Sequence, residues 1–191
     1  MLVYLHGFNS SAASHKAQLM KTYMEGRGLA SHYACPALPD APEAAIGVIR
    51  QAIAGSEPRA LTFIGSSLGG FYATYLAETL GCRAVLVNPA VTPHIGLEAY
   101  LGTQKNLHTG EPYELTRAHL EGWRKLIIER IDPEKYLLLL ETGDEVLDWR
   151  VAARKYEGAR MVVRDGGDHS LQCFAELMPK ILAFARLQAA S

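Results

Sequence analysis

Two kinds of hydrophobic run alternate along the chain. The first is short and continuous: Leu2 to Leu5, Leu61 to Ile64, Ala84 to Val87 and Tyr136 to Leu140 are apolar with almost no polar interruption. Runs too short for a helix and apolar on both sides predict strands covered by helices on each face. Two weaker strands are expected, at about 31–34 and 161–163.

The second kind carries helical spacing. Ala17, Met20 and Met24 form one stripe, begun near Ser14 and stopped at Gly26-Arg27-Gly28; Ile46, Ile49 and Ile53 form another, closed by Gly55. Asp40-Ala41-Pro42-Glu43 reads as the start of that second helix, with Asp40 as cap and Pro in the first turn. Further helices are expected from Leu68 to about Leu80, from Asp148 to about Tyr156, and along Leu171, Phe174, Met178, Ile181 and Ala185, where Pro179 either starts a second segment or kinks a continuous one. Strand and helix alternate throughout. That order predicts an α/β fold: a parallel sheet of about six strands, right-handed crossovers and helices on both faces.

One stretch departs from the alternation. From Val91 to about Asp132 there are loop-like segments, Gly102 to Asn106 and Thr109 to Pro112, and a helix expected near Leu115 to Glu129. It is too long for an ordinary connection and reads as a cap-like insertion, at about 91–132, lying over the sheet edge.

Composition narrows the picture. With 191 residues, 49% of them hydrophobic, the chain suits one domain with a substantial core. A formal net charge of −1 offers no general attraction to nucleic acid or to anionic membrane. The three cysteines, Cys35, Cys82 and Cys173, are widely spaced and outside any zinc motif, so they read as reduced core thiols, with no metal expected. Met1 leads straight into Leu-Val-Tyr-Leu-His-Gly, without a basic or long apolar leader, and the expectation is a cytoplasmic protein with no membrane insertion.

The candidate chemistry gathers at strand ends. Gly65-Ser66-Ser67-Leu68-Gly69 follows a short buried strand and opens a helix, the context of a nucleophile elbow, in which a tight turn exposes the serine hydroxyl. A dinucleotide fingerprint or a P-loop would need other residues at those positions. Asp144 lies in the loop after Tyr136–Leu140, and His169 in Gly166-Gly167-Asp168-His169 after the last strand. The order Ser67, Asp144, His169 is that of an α/β-hydrolase triad: nucleophile, the acid that orients the ring, and the base. Asp148 on the same loop is the rival acid, although it also suits the cap of the following helix. Asp168 is expected to shape its loop. His6-Gly7-Phe8 follows the first strand, and the expected oxyanion donors are the backbone N–H groups of Phe8 and Leu68. Tyr100, Tyr113, His119 and Trp123 in the insertion are candidate substrate contacts, or simply core aromatics.

These blocks, together with Tyr4-Leu5-His6-Gly7-Phe8-Asn9-Ser10-Ser11, Val87-Asn88-Pro89-Ala90, Tyr100-Leu101-Gly102 and Thr142-Gly143-Asp144-Glu145-Val146-Leu147-Asp148, resemble the small bacterial α/β-hydrolase esterases of the YqiA/YcfP type over nearly the whole chain. The resemblance implies a compact α/β-hydrolase fold and cleavage of short- to medium-chain acyl esters, or acyl-CoA thioesters, without metal or organic cofactor, by a monomer or homodimer. Asp168 stands where the resemblance leads one to expect Asn. Two other functions use the same residues: a non-catalytic ligand-binding or interaction module, and hydrolysis of a carbon–carbon or amide bond.

Overall fold

A computed structural model describes residues 1–187. Its centre is a sheet of six parallel strands, β1 (Leu2–Leu5), β2 (Tyr33–Ala34), β3 (Thr62–Ser66), β4 (Arg83–Val87), β7 (Tyr136–Glu141) and β8 (Arg160–Arg164), in the order β2-β1-β3-β4-β7-β8. The register runs Leu5 opposite Gly65, Ser66 opposite Val87, and Val87 opposite Leu139, so the central strands end at one level. All residues of β1, β3 and β7 are buried, as continuous apolar runs require.

Successive side chains point to opposite faces, and each face has its own core. Leu2, Tyr4, Ile64 and Leu139 pack on α1 (His15–Glu25) and α7 (Phe174–Ala185). Val3, Leu5, Phe63 and Leu138 pack on α2 (Pro42–Ala52), α3 (Leu68–Leu80), α5 (Arg117–Lys125) and α6 (Trp149–Lys155). Because α3 begins directly after β3 and stays buried through its first three turns, the Ser67 turn sits at the middle of the sheet.

Local details differ from the sequence reading at three places. The cap of α2 is Ala41 rather than Asp40, and it makes no side-chain cap bond. Pro42 occupies the first helical position, where its fixed φ is favourable, so the cap falls one residue later than the Asp signal suggests. The loop-like stretches of the insertion pair as an antiparallel hairpin, β5 (Gly102–Lys105) with β6 (Pro112–Leu115), preceded by the short helix α4 (Pro93–Gly96). Exposure alternates along β5, which a search for buried apolar runs overlooks. Finally, α5 is shorter than the expected Leu115–Glu129, whereas α7 passes through Pro179 as one helix. No helix among the described residues is long and apolar enough to cross a membrane.

Candidate active site

Ser67 joins β3 to α3 with φ 54° and ψ −119°, a conformation that a residue with a side chain adopts only under constraint. The constraints are visible. Its N–H donates to Val87 O at 3.0 Å, and its carbonyl accepts from Gly70 N–H at 2.9 Å and Ala90 N–H at 3.0 Å. A side chain on Gly65 would collide with the Gly69 carbonyl, and one on Gly69 with the Leu5 carbonyl, so the chain can turn this tightly only with glycine at both places. Gly7, after β1, lies against the same turn: a Cβ there would be 3.8 Å from Ser67 Oγ.

His6, next to it, is buried and neutral in its bonding. Its Nε2 accepts from Leu38 N–H at 3.0 Å, leaving Nδ1–H to face Gly7 O at 3.1 Å, and burial pushes its pKa down. The ring thus fixes the loop that carries Phe8.

Asp144 and His169 meet across the loops after β7 and β8. His169 Nδ1 lies 2.8 Å from one Asp144 oxygen and 3.0 Å from the other. A carboxylate only accepts, so Nδ1 carries the proton. Asp144 Oδ1 also accepts the N–H groups of Val146 and Leu147 at 2.9 and 2.8 Å, and its side chain is 1% exposed. Burial would raise this carboxyl, but the His169 bond and those two N–H groups hold it below the usual carboxylate range. Asp148 does something else. It caps α6 by accepting Arg150 N–H at 3.0 Å and pairs with the Arg150 guanidinium. Asp168 shapes its loop, accepting from Ser170 N–H and the Gln172 amide, both at 2.8 Å.

Ser67 and His169 line one cavity of about 510 Å³, a size suited to a small organic ligand. Among the described residues, neither Ser67 Oγ nor His169 Nε2 has a hydrogen-bond partner. Phe8 and Leu68 line the cavity too, and so does Tyr100, edge-on to Phe8 at 6.0 Å between ring centres. Ile95, Tyr100, Leu107, Val146 and Val151, all large and apolar yet exposed, belong to its wall.

The other aromatic candidates sit elsewhere. Tyr113 is edge-on to Phe8 from the far side and donates its hydroxyl to Asn9 Oδ1 at 2.7 Å. Trp123 is 1% exposed, with its indole N–H donating to the Tyr72 hydroxyl at 2.7 Å, because the apolar face of α5 turns into the core. Both border a small void behind Phe8 and are not among the residues lining the large cavity. His119 completes the capping box of α5 with Thr116. No cluster of three or more His, Cys, Asp or Glu side chains suited to a metal occurs among the described residues.

Two residues escaped the sequence reading. Asn88, at the end of β4, donates its side-chain amide to the carbonyls of Asp168 and His169 at 3.1 and 3.2 Å and accepts Glu141 N–H at 3.1 Å. Glu141, the last residue of β7, is 3% exposed and accepts N–H groups from the His169 loop. The available signal was a charge ending the most apolar strand, where a solvated terminus is the simpler reading.

Solved structures share this architecture. A chain from Agrobacterium vitis S4 matches with a TM-score of 0.74 at 19% identity, covering 96% of this chain and 87% of that one. A monoacylglycerol lipase from Paleococcus ferrophilus matches with a TM-score of 0.70 at 16% identity (96% and 93% covered). The esterase domain of a Rhodothermus marinus protein gives 0.68 at 20% identity (97% and 85% covered). The fold is therefore that of the α/β hydrolases. A model of the uncharacterised protein family UPF0227 matches residues 1–186, and the chain belongs to that family, the YqiA/YcfP-like proteins.

Proposed function

We propose that the protein is a serine hydrolase that cleaves carboxylic esters, of short- to medium-chain acyl groups or as acyl-CoA thioesters, through an acyl-enzyme on Ser67. The observation that carries this reading is the hydrogen bond of His169 Nδ1 to Asp144, made in the wall of the cavity that also holds the constrained Ser67. The bond fixes the tautomer that leaves Nε2 unprotonated and able to take a proton.

In this mechanism Ser67 Oγ attacks the acyl carbon as its proton passes to His169 Nε2. The imidazolium that forms is stabilised by the Asp144 carboxylate, and the negative oxygen by the N–H groups of Phe8 and Leu68, the latter at the positive end of the α3 dipole. The imidazolium then protonates the leaving alcohol or thiol. Water, deprotonated by His169, releases the acid and restores the hydroxyl. The apolar cavity wall takes the acyl group, and the segment 91–132 acts as its cap.

A fluorophosphonate probe tests the assignment. Labelling of the wild type at Ser67, with none in a folded Ser67→Ala variant, is the expected result. A folded wild type that stays unlabelled and turns over no ester or thioester in a broad panel would leave a binding module on the same fold.

A further inference from the structure

The segment that carries His169 is anchored in the apolar core by Leu171, but its backbone around the base is held by polar side chains. Glu141 Oε2 accepts the N–H groups of Asp168 at 2.9 Å and Gln172 at 3.0 Å, and Oε1 accepts Cys173 N–H at 3.3 Å. From the neighbouring strand, the Asn88 amide grips the carbonyls of Asp168 and His169. The His169 N–H itself goes to Glu145 Oε2 at 3.0 Å, and Lys16 of α1 donates to the Ser170 carbonyl at 2.7 Å. Gly167, at φ 72°, presses so closely on the Glu141 carboxyl that a side chain there would overlap it.

This arrangement has a specific geometry. Glu141 ends β7 and Asn88 directly follows the adjacent strand β4, and the two are joined through Glu141 N–H and Asn88 Oδ1. Together they clamp the loop at both its N–H and C=O groups, on either side of the base. Of the His169 loop, Asp144, three residues past Glu141, bonds only the ring.

We infer that Glu141 and Asn88 are positioning residues for His169, acting through the backbone of residues 168–173 to set the distance between the imidazole and the Ser67 hydroxyl. This rests on the serine-hydrolase reading above. What the loop needs from Glu141 is an acceptor oxygen at Oε2, where the two shorter bonds converge. The net charge is secondary, so a Gln at 141 can keep those two bonds with its amide oxygen, whereas Leu keeps none. An ångström of misplacement in a catalytic base costs on the order of a hundredfold in rate.

The test compares Glu141→Leu, Glu141→Gln and Asn88→Gly with wild type, Gly being chosen because residue 88 has φ 39°. Each is followed by the rate of fluorophosphonate labelling at Ser67, by kcat and KM on a soluble ester, and by the downfield NMR signal of the His169 Nδ1 proton. Expected are a fall in labelling rate and kcat of about 100-fold for Glu141→Leu and for Asn88→Gly, with KM within about threefold of wild type, and a broadened or lost Nδ1 signal. Glu141→Gln should return to within about tenfold. If Glu141→Leu does not fold, Asn88→Gly and Glu141→Gln decide.

Folded variants that label at the wild-type rate and keep the Nδ1 signal would overturn the inference, as would a Gln variant no better than Leu. A wild type that never labels at Ser67 would instead sink the hydrolase reading, which keeps the two failures apart.

Discussion

The two walls of the cavity are held by different means. On one side, the loops with Asp144 and His169 hang from strand ends by buried polar side chains, Glu141 and Asn88 at 3% exposure each and the Asp144 side chain at 1%. On the other, the segment 91–132 is anchored in the core through Leu115, Leu120 and Trp123, while the outer part of its hairpin and the start of its helices are tied down at the surface. There Thr103 bonds Glu114, Asn106 caps its own turn, and Arg117 reaches an exposed Glu98 at 3.5 Å. Exposed bonds of that kind compete with water and contribute little; buried ones leave an unsatisfied group when broken. The first wall resists displacement where proton transfer needs a fixed distance. On the proposed reading, the second is the wall that accommodates different acyl groups.

The sharpest way to break that contrast is at its polar centre. Asp144→Asn keeps the volume and the bonds from Val146 and Leu147 but offers His169 the wrong partner, so kcat should fall by about 10⁴-fold with near-normal thermal stability. Asp148→Asn, at the cap of α6, should leave kcat within about twofold, since that carboxylate serves the helix and has no bond to His169. Steady-state kinetics on one activated ester decides. Equal losses in the two variants would mean that the acid had been assigned to the wrong residue.

A second substitution separates core from proposed cap within the segment 91–132. Trp123→Ala removes a fully buried ring and strands the Tyr72 hydroxyl, and should lower unfolding stability by about 3–5 kcal/mol in urea titrations. Activity of the folded fraction should keep its preference among acyl lengths. A changed preference without lost stability would return Trp123 to the cavity wall.

These two cases show what was legible in the chain. Ser67, Asp144 and His169 could be placed from strand ends and chain order, since a sheet that buries its strands on both faces forces those loops to one edge. Asp148 and Asp168 were readable from turn and cap chemistry, which is local. Trp123 was open in sequence: an aromatic on an amphipathic helix marks a buried face without saying what lies beneath it. The β5–β6 hairpin was missed because its strands are short and half exposed. Glu141 and Asn88 were missed for a deeper reason. Their partners are backbone groups of residues 168–173, and a bond to main chain so distant in sequence, unlike a local cap, leaves no pattern in the residues around it.

Acid should find the tightly held wall next. Burial works against ionisation of both Asp144 and Glu141, yet their hydrogen bonds hold both carboxyls below their ordinary range. A depressed carboxyl contributes stability that is fully present above its unfolded pKa, about 3.9 for Asp and 4.3 for Glu, and is lost as pH falls through the lower folded value. Wild type should therefore lose stability more steeply than Glu141→Gln below about pH 4, the gap between them narrowing as Glu141 protonates, since Asp144 titrates in both. Urea unfolding between pH 3 and 7 measures it. Parallel curves would mean that Glu141 is not bonded as an anion.

The smallest effect expected is also the one that probes the yielding wall directly. Tyr100 is half exposed, and its main fixed contact is the edge of Phe8, a pairing worth about 0.5–1.5 kcal/mol. Its ring lines the cavity without touching the Asp144–His169 bond, so Tyr100→Ala should leave kcat on an acetyl ester unchanged and lower unfolding stability only by the lost Phe8 pairing, about 0.5–1.5 kcal/mol. For esters with longer acyl groups, which on the proposed reading lie along that wall, KM should rise about two- to tenfold, as one lost contact between an aromatic ring and the acyl chain would give. The pattern across chain lengths carries the information, because uniform binding lost from the acyl group moves KM alone. A drop in kcat for every ester would mean that Tyr100 positions Phe8 and, through it, the oxyanion donor, and the insertion would then be part of the catalytic machinery rather than a cap on the substrate.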